Sequence, residues 1–212
     1  MDTKSFQEKL IQAAQHLKRH DPILAPLIEL YGTAGFVPHT NYYQALVDSI
    51  IGQQLSVKAA RSIRARFYAL FQETDTPSPQ EILTKTVEEL RAVGFSNAKA
   101  RYVRDLAEHV IDGRLKLGRF DELSNEEIIN ELTSVKGVGE WTAHMFMMFT
   151  LGRLDILPVG DLGIKNGVKK VYGLDEPPNA DKIREIALKN NWHPYESVAS
   201  WYMWESLDNA PK

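Results

Sequence analysis

Leu132-Thr-Ser-Val-Lys-Gly-Val-Gly-Glu-Trp-Thr-Ala143 opens the stretch that decides the fold; it runs through an apolar helix to Leu157-Pro-Val-Gly-Asp-Leu-Gly-Ile-Lys165. The first part reads as a glycine hairpin between two helices. A helix start exposes backbone amides that lack intrahelical partners, and its aligned peptide dipoles make that end positive, so an anion binds there readily. Gly137 and Gly139 have no side chain to keep a phosphate oxygen away, and they permit the positive φ angles a tight hairpin needs. Val138 between them is free to plug into the core. The amides near Gly137, Gly139 and Thr142 are therefore expected to hold one DNA phosphate, a contact that positions a duplex but reads no sequence. A plain interhelical turn is the alternative for the tripeptide alone. The second part ends in an aspartate, Asp161, after a Pro/Gly turn. By itself such a residue would cap the helix beginning near Leu162.

Outward from this stretch the pattern is helical nearly everywhere. Phe6, Leu10, Ala13, Ala14 and Leu17 share one face of a helix over Ser5 to Arg19. Asp21-Pro22 starts a new element, and Tyr42 to Ile51 and Val57 to Phe71 form a helical pair broken near Gly52. Thr86-Val-Glu-Glu89 and Ser124-Asn-Glu-Glu127 are capping boxes, in which side chains satisfy free amides at a helix start. Ser96 is read as the cap of a helix with Ala98, Tyr102, Leu106, Val110 and Ile111 on one stripe, stopped by Gly113. Pro177-Pro178 separates the helix after Asp161 from Asp181–Asn190, and Pro194 is placed in the first turn of a last helix carrying Trp201 and Trp204. No segment alternates with period two. The expectation is an all-α chain of about ten short helices.

Composition sets the boundaries. With 212 residues, 43% of them apolar, the chain can bury a core as one domain or two small ones. It has no cysteine, which excludes disulfides, zinc-thiolate sites and cysteine-held iron–sulfur clusters. Met1 to His20 carries charges throughout and lacks a signal-peptide core, and Trp141 to Leu151 is far shorter than the roughly 20 residues a bilayer demands. An intracellular protein with no membrane partner is expected. The six histidines show no metal-ligand spacing, so no catalytic metal and no cofactor are inferred. The net charge of −3 is low for a DNA binder, but basic residues cluster at Lys58, Arg61, Arg64 and Arg66, at Lys99, Arg101 and Arg104, and at Lys165, Lys169 and Lys170. Such patches suit a protein that meets DNA on one face. Solvated helix faces are the alternative for each cluster.

The combination of Leu132-x-x-Val-Lys-Gly-Val-Gly-Glu-Trp-Thr-Ala143 with Leu157-Pro-Val-Gly-Asp161 resembles the helix-hairpin-helix DNA glycosylase superfamily, in particular its DNA-3-methyladenine glycosylase II branch. Ile50-Ile-Gly-Gln-Gln-Leu-Ser56 resembles the family's segment facing the lesion, and Gly94-Phe-Ser-Asn-Ala-Lys-Ala100 the motif opening a middle helix. Trp192-His-Pro-Tyr195 and Trp201-Tyr-Met-Trp204 resemble its C-terminal end. The resemblance implies two helical subdomains around a cleft, here residues 37–150 (with the hairpin) and 1–36 plus 151–212, in the compact form without an N-terminal β-rich domain.

It also implies roles. Asp161 is the carboxylate that stabilises positive charge on the sugar as a base leaves, and that orients or deprotonates water. Gln54 or Leu55 is the wedge that fills the gap left by a flipped base; Gln54 matches the position and Leu55 has the apolar character usual for wedges. Trp141 lines the base pocket, with Tyr42, Tyr43, Trp201 and Trp204 as further candidates, since electron-rich rings attract cationic alkylated purines. Ordinary core packing is the alternative for each. Asp155 and Asp175 are rival carboxylates off the motif position. Members that also cut the DNA backbone use a lysine where this chain has Trp141, so a glycosylase without lyase activity is implied. The carbonyls of Thr133, Val135 and Val138 are the position of a possible monovalent cation in relatives. Met145 is a further base-pocket position, where the chain departs from the pattern because some members place a tyrosine against the base; it departs again at Glu196, where arginine is common. The expected partner is double-stranded DNA containing alkylated bases, the expected state a monomer, and the expected place the nucleoid or the nucleus. The rival reading is a non-catalytic damage-binding module that keeps the hairpin.

Overall fold

A computed structural model describes residues 3–71 and 76–207. The helices are α1 (Thr3–His20), α2 (Ala25–Tyr31), α3 (Tyr42–Gly52), α4 (Val57–Tyr68), α5 (Pro79–Thr84) and α6 (Val87–Ala92). They continue as α7 (Asn97–Ile111), α8 (Asn125–Thr133), α9 (Glu140–Phe149), α10 (Leu162–Tyr172), α11 (Ala180–Lys189) and α12 (Glu196–Glu205), with a 3₁₀ turn at Leu117–Arg119. Among the described residues there is no strand. The chain divides into two compact units, 40–146 and 1–39 with 147–212.

In the terminal unit, α1 buries Phe6, Leu10, Ala13, Ala14 and Leu17, the face read from its spacing. They join Ile164, Val168, Ile183, Val198, Tyr202 and Met203 in one core. The fully buried carboxylate of Asp21 organises the turn after α1. Its Oδ1 accepts the Ile23 and Leu24 amides, both at 3.0 Å, and its Oδ2 accepts Trp192 Nε1 at 2.8 Å and the Tyr172 hydroxyl. A buried charge is tolerable only when satisfied in this way. Burial and this carboxylate push the Tyr172 hydroxyl pKa far above its ordinary value.

The central unit is assembled from short capped helices. Ser78, Thr86 and Ser124 each form a complete capping box, and Ser96 accepts from the Lys99 amide at the start of α7. Phe67 stacks on Phe95 with ring centroids 5.2 Å apart, and Phe120 meets Phe146 edge-on at 5.7 Å.

Three readings of the chain need correction. α4 ends at Tyr68, three residues before Phe71. Pro194 precedes α12 rather than lying in its first turn; Tyr195 is the N-cap, and the His193–Pro194 peptide is cis. On α7 the buried face is Ala100, Val103, Asp105, Leu106, Ala107 and His109. Ala98 and Ile111 are exposed, Tyr102 and Val110 half-buried, so only Leu106 of the expected stripe lies in the core. Four of the five positions of the expected stripe carry large apolar side chains. The helix instead buries two small alanines and two polar groups satisfied by hydrogen bonds.

Candidate nucleic-acid interface and active site

The hairpin is held from both sides. Below it, Val135 and Val138 are buried, and the Val138 amide bonds Val135 O at 3.1 Å. Beside it, the carboxylate of Asp105 on α7 accepts the Lys136 amide at 2.8 Å and pairs with Lys136 Nζ at 3.0 Å. His109 bonds the Asp105 carbonyl through Nδ1 at 2.8 Å, and its Nε2 lies 2.9 Å from Arg114 Nη1. An arginine can only donate, so Nε2 accepts and the imidazole proton sits on Nδ1. Burial alone would raise the Asp105 pKa, but the Lys136 amide and ammonium and His109 hold it below the usual carboxylate range.

Gly137 has φ +83°, and a Cβ there would lie 2.1 Å from the Tyr102 ring. Gly139 is exposed, and a Cβ on it would meet nothing within 4 Å. Among the described residues neither glycine's N–H has a protein acceptor. Thr142 is buried, so it offers only its first-turn amide at the start of α9. Of the Thr133, Val135 and Val138 carbonyls, that of Val135 accepts the Val138 amide at 3.1 Å.

Next to the hairpin, within the same unit, lies an open cavity of about 800 Å³. The end of α3 and the loop after it supply Asp48, Gln53, Gln54 and Leu55; α7 supplies Ala98, Lys99 and Tyr102; the hairpin and α9 supply Gly137, Trp141, Thr142 and Met145. Thus Gln54, Leu55, Gly137, Trp141, Thr142 and Met145 come together around one cavity. Trp141 is 52% exposed, a surface setting for so large a ring. Tyr42 and Tyr43 do not line this cavity. Tyr42 packs against Phe120 and Phe146, and the Tyr43 hydroxyl is buried, which raises its pKa. Tyr42 is half-buried at the start of α3, with its ring among Phe side chains.

Sequence reading missed the strut behind the cavity. Lys99 Nζ donates to Ile51 O at 2.8 Å and Gln53 O at 2.7 Å, closing the C-terminal end of α3, while Gln53 Nε2 donates to Gly137 O at 2.8 Å. Burial lowers the Lys99 pKa. Between these anchors Gln54 sits at φ +56°, a left-handed conformation that costs a non-glycine residue about 1–2 kcal/mol and needs support from its surroundings. Asp48 was also missed; its Oδ1 accepts the Tyr68 hydroxyl at 3.0 Å and pairs with Arg64 Nε at 2.7 Å. Nothing in the spacing of polar residues marks Asp48 on α3 or Lys99 on α7.

The basic clusters are partly consumed inside the fold. Besides Arg64 and Lys99, Arg66 bonds Val93 O, Arg104 bonds Leu83 O and Lys85 O, and Lys170 bonds Ser206 O. Lys58, Arg61 and Arg101 are exposed.

In the terminal unit, Asp161 caps α10, with Oδ1 accepting the Ile164 amide at 2.8 Å. The same oxygen accepts Trp204 Nε1 at 2.8 Å. Trp204 also lies 5.9 Å from the Phe149 ring, and Trp201 is half-buried with its edge on Tyr202. Asp155 is half-buried and Asp175 exposed; neither caps a helix. Glu196, the first residue of α12, meets the favourable end of the helix dipole and bonds His193 Nδ1 at 3.0 Å, which gives its presence a physical reason.

Among the described residues no helix is long and apolar enough to cross a membrane, and no His/Asp/Glu group could hold a metal ion. Residues 47–194 match the model of the HhH-GPD superfamily base excision DNA repair proteins. The alkylbase DNA glycosidase-like protein mag2 of Schizosaccharomyces pombe is 32% identical, over 92% of this chain and 92% of its own. A crystal structure of a DNA-3-methyladenine glycosidase from Bacillus halodurans superposes with TM-score 0.84 at 38% identity, covering 93% of this chain and 89% of that one. The 3-methyladenine DNA glycosylase Mag1 of S. pombe, solved in complex with abasic DNA, superposes with TM-score 0.79 at 32% identity, covering 95% of this chain and all of that one. With its capped hairpin, its glycine turn and a family match over most of its length, the chain belongs to the HhH-GPD superfamily of base excision DNA repair proteins.

Proposed function

We propose that the protein is a monofunctional DNA glycosylase that hydrolyses the N-glycosidic bond of alkylated purines, of the 3-methyladenine and 7-methylguanine type, in duplex DNA. The observation that carries this reading is Asp161: a carboxylate at its motif position, fixed by the Ile164 amide and the Trp204 indole. The hairpin amides at Gly137 and Gly139 hold a phosphate. The target base leaves the stack at a cost of a few kcal/mol, and Gln54 with Leu55 at the cavity rim offsets part of this by filling the gap. Trp141, whose ring is exposed on the cavity wall, attracts a cationic purine by about 0.5–2 kcal/mol, a preference that a neutral normal base does not share.

The C1′–N bond then breaks with its electron pair going to the base. An alkylated purine is already cationic or electron-poor and accepts that pair without an acid. Positive charge develops on the sugar, and Asp161 stabilises it and orients the water whose oxygen bonds to C1′; the water proton passes to the carboxylate or to solvent. The products are a free base and an abasic site. Trp141 stands where lyase members carry their lysine, so no Schiff base forms and the backbone stays intact. The chain acts as a monomer, without a cofactor.

Chromatography of bases released from methylated duplex DNA tests this reading. Release of 3-methyladenine or 7-methylguanine with the strand uncut is expected. Tight binding to the same duplexes without release of any alkylated base would replace the enzyme by a damage-binding module.

A further inference from the structure

We infer that Trp204 is a positioning residue for Asp161, acting through its indole N–H, and not a wall against which the base stacks. The inference rests on the role proposed for Asp161. The indole nitrogen lies 2.8 Å from Asp161 Oδ1, the oxygen that also accepts the Ile164 amide at 2.8 Å. Two donors from different directions on one oxygen fix both the position and the rotation of the carboxylate. One of them belongs to the helix that Asp161 caps. The other comes from α12, so the carboxylate is tied to the packing of two helices.

The sequence of α10 is shaped around this contact. A Cβ at Gly163 would lie 2.7 Å from Trp204 Cδ1 and Nε1 and 2.9 Å from Asp161 Oδ1. One turn on, a Cβ at Gly167 would lie 2.5 Å from the carbonyl oxygen of Met203, the residue before Trp204. Glycine is the poorest helix former after proline. Two glycines one turn apart on α10 are explained by the close approach of the α12 backbone and by the indole lying over Gly163. The Phe149 ring, 5.9 Å from that of Trp204, holds the indole from another side.

The choice of donor suits the chemistry. Lysine or arginine would orient a carboxylate equally well but would bring a positive charge, weakening the field felt by the cationic sugar. An indole N–H is neutral and donates only. It fixes Asp161 and leaves its charge for the transition state.

The test is a double-mutant cycle on single-turnover base excision, with W204F, D161N and the double variant, on two duplexes that carry different alkylated bases. W204F keeps an aromatic face and removes the N–H. The expected result is a rate loss of roughly tenfold, about 1.4 kcal/mol, equal for both bases, with duplex affinity unchanged and no further loss when W204F is added to D161N. A wild-type rate for W204F overturns the inference. So does a loss that depends on the base or appears in affinity, which marks a stacking wall, or a loss of the same size in the D161N background. If D161N itself keeps the wild-type rate, it is the role of Asp161 that fails, a separate outcome. Thermal melting checks folding. Should W204F melt early, benzothienylalanine at position 204, which keeps the ring shape and lacks the N–H, measures the same cycle.

Discussion

Two glycines two residues apart do different work in the hairpin. Gly137 is a structural requirement, because φ +83° and the Tyr102 ring leave no room for a Cβ. Gly139 is exposed, and a Cβ there would meet nothing of the protein within 4 Å, so its bareness matters only to something arriving from outside. G137A is therefore expected to lower stability by about 1–3 kcal/mol, read as a fall in urea midpoint. G139A is expected to melt like wild type and to bind duplex DNA roughly tenfold more weakly. Equal loss of stability in both would contradict this division. The pair was legible in the sequence as a motif. Their separate reasons were not, because Tyr102 comes from another helix, 35 residues earlier in the chain. Asp161 was legible for a similar reason: helix caps announce themselves locally. The donor from Trp204 did not, since it depends on how α12 lies on α10.

At the scale of elements, α7 is the strut of the central unit. Its Asp105 holds the hairpin and its Lys99 holds the loop carrying Gln54. Folding lowers the Asp105 pKa, so the ionised form is favoured in the folded state. The resulting stabilisation is complete above the unfolded value of about 4 and fades as pH falls through the lower folded value. D105A is expected to cost about 1–3 kcal/mol near neutral pH by stranding the Lys136 amide, and to flatten the acid limb of the urea midpoint against pH. An acid limb identical to that of wild type would remove Asp105 from this role. K99M is expected to cost about 1.5–3 kcal/mol, since two carbonyls lose a charged donor. The mis-traced face of α7 has the same origin. Periodicity counts apolar bulk, whereas this helix buries Ala100 and Ala107 for closeness and Asp105 and His109 for their bonds.

At the scale of the whole molecule, helix content and most helix boundaries could be read from caps and spacing, because most helices start at a side-chain cap; α2 and α12, whose N-caps Leu24 and Tyr195 make no such bond, are exceptions. The basic clusters divide between bonded and exposed side chains, because charge in sequence does not say whether a side chain is already committed. Arg66 and Arg104 bond carbonyls inside the central unit, whereas Lys58 and Arg61 at the start of α4 are exposed. Each phosphate contact contributes a slope of roughly 0.9 in log affinity against log salt. Replacing both Lys58 and Arg61 by Gln is expected to weaken duplex binding and reduce that slope by about 1–2. R66Q and R104Q are expected to reduce stability and leave the slope alone. An unchanged slope in the first variant would move the phosphate track elsewhere.

The central claim is that a single carboxylate carries the chemistry while the hairpin carries the binding. Single-turnover release of an alkylated purine by D161N, measured beside its duplex affinity, tests it most directly. A fall of roughly 10²–10³ in rate with affinity unchanged is the predicted result. A D161N variant that releases the base at the wild-type rate would contradict the account.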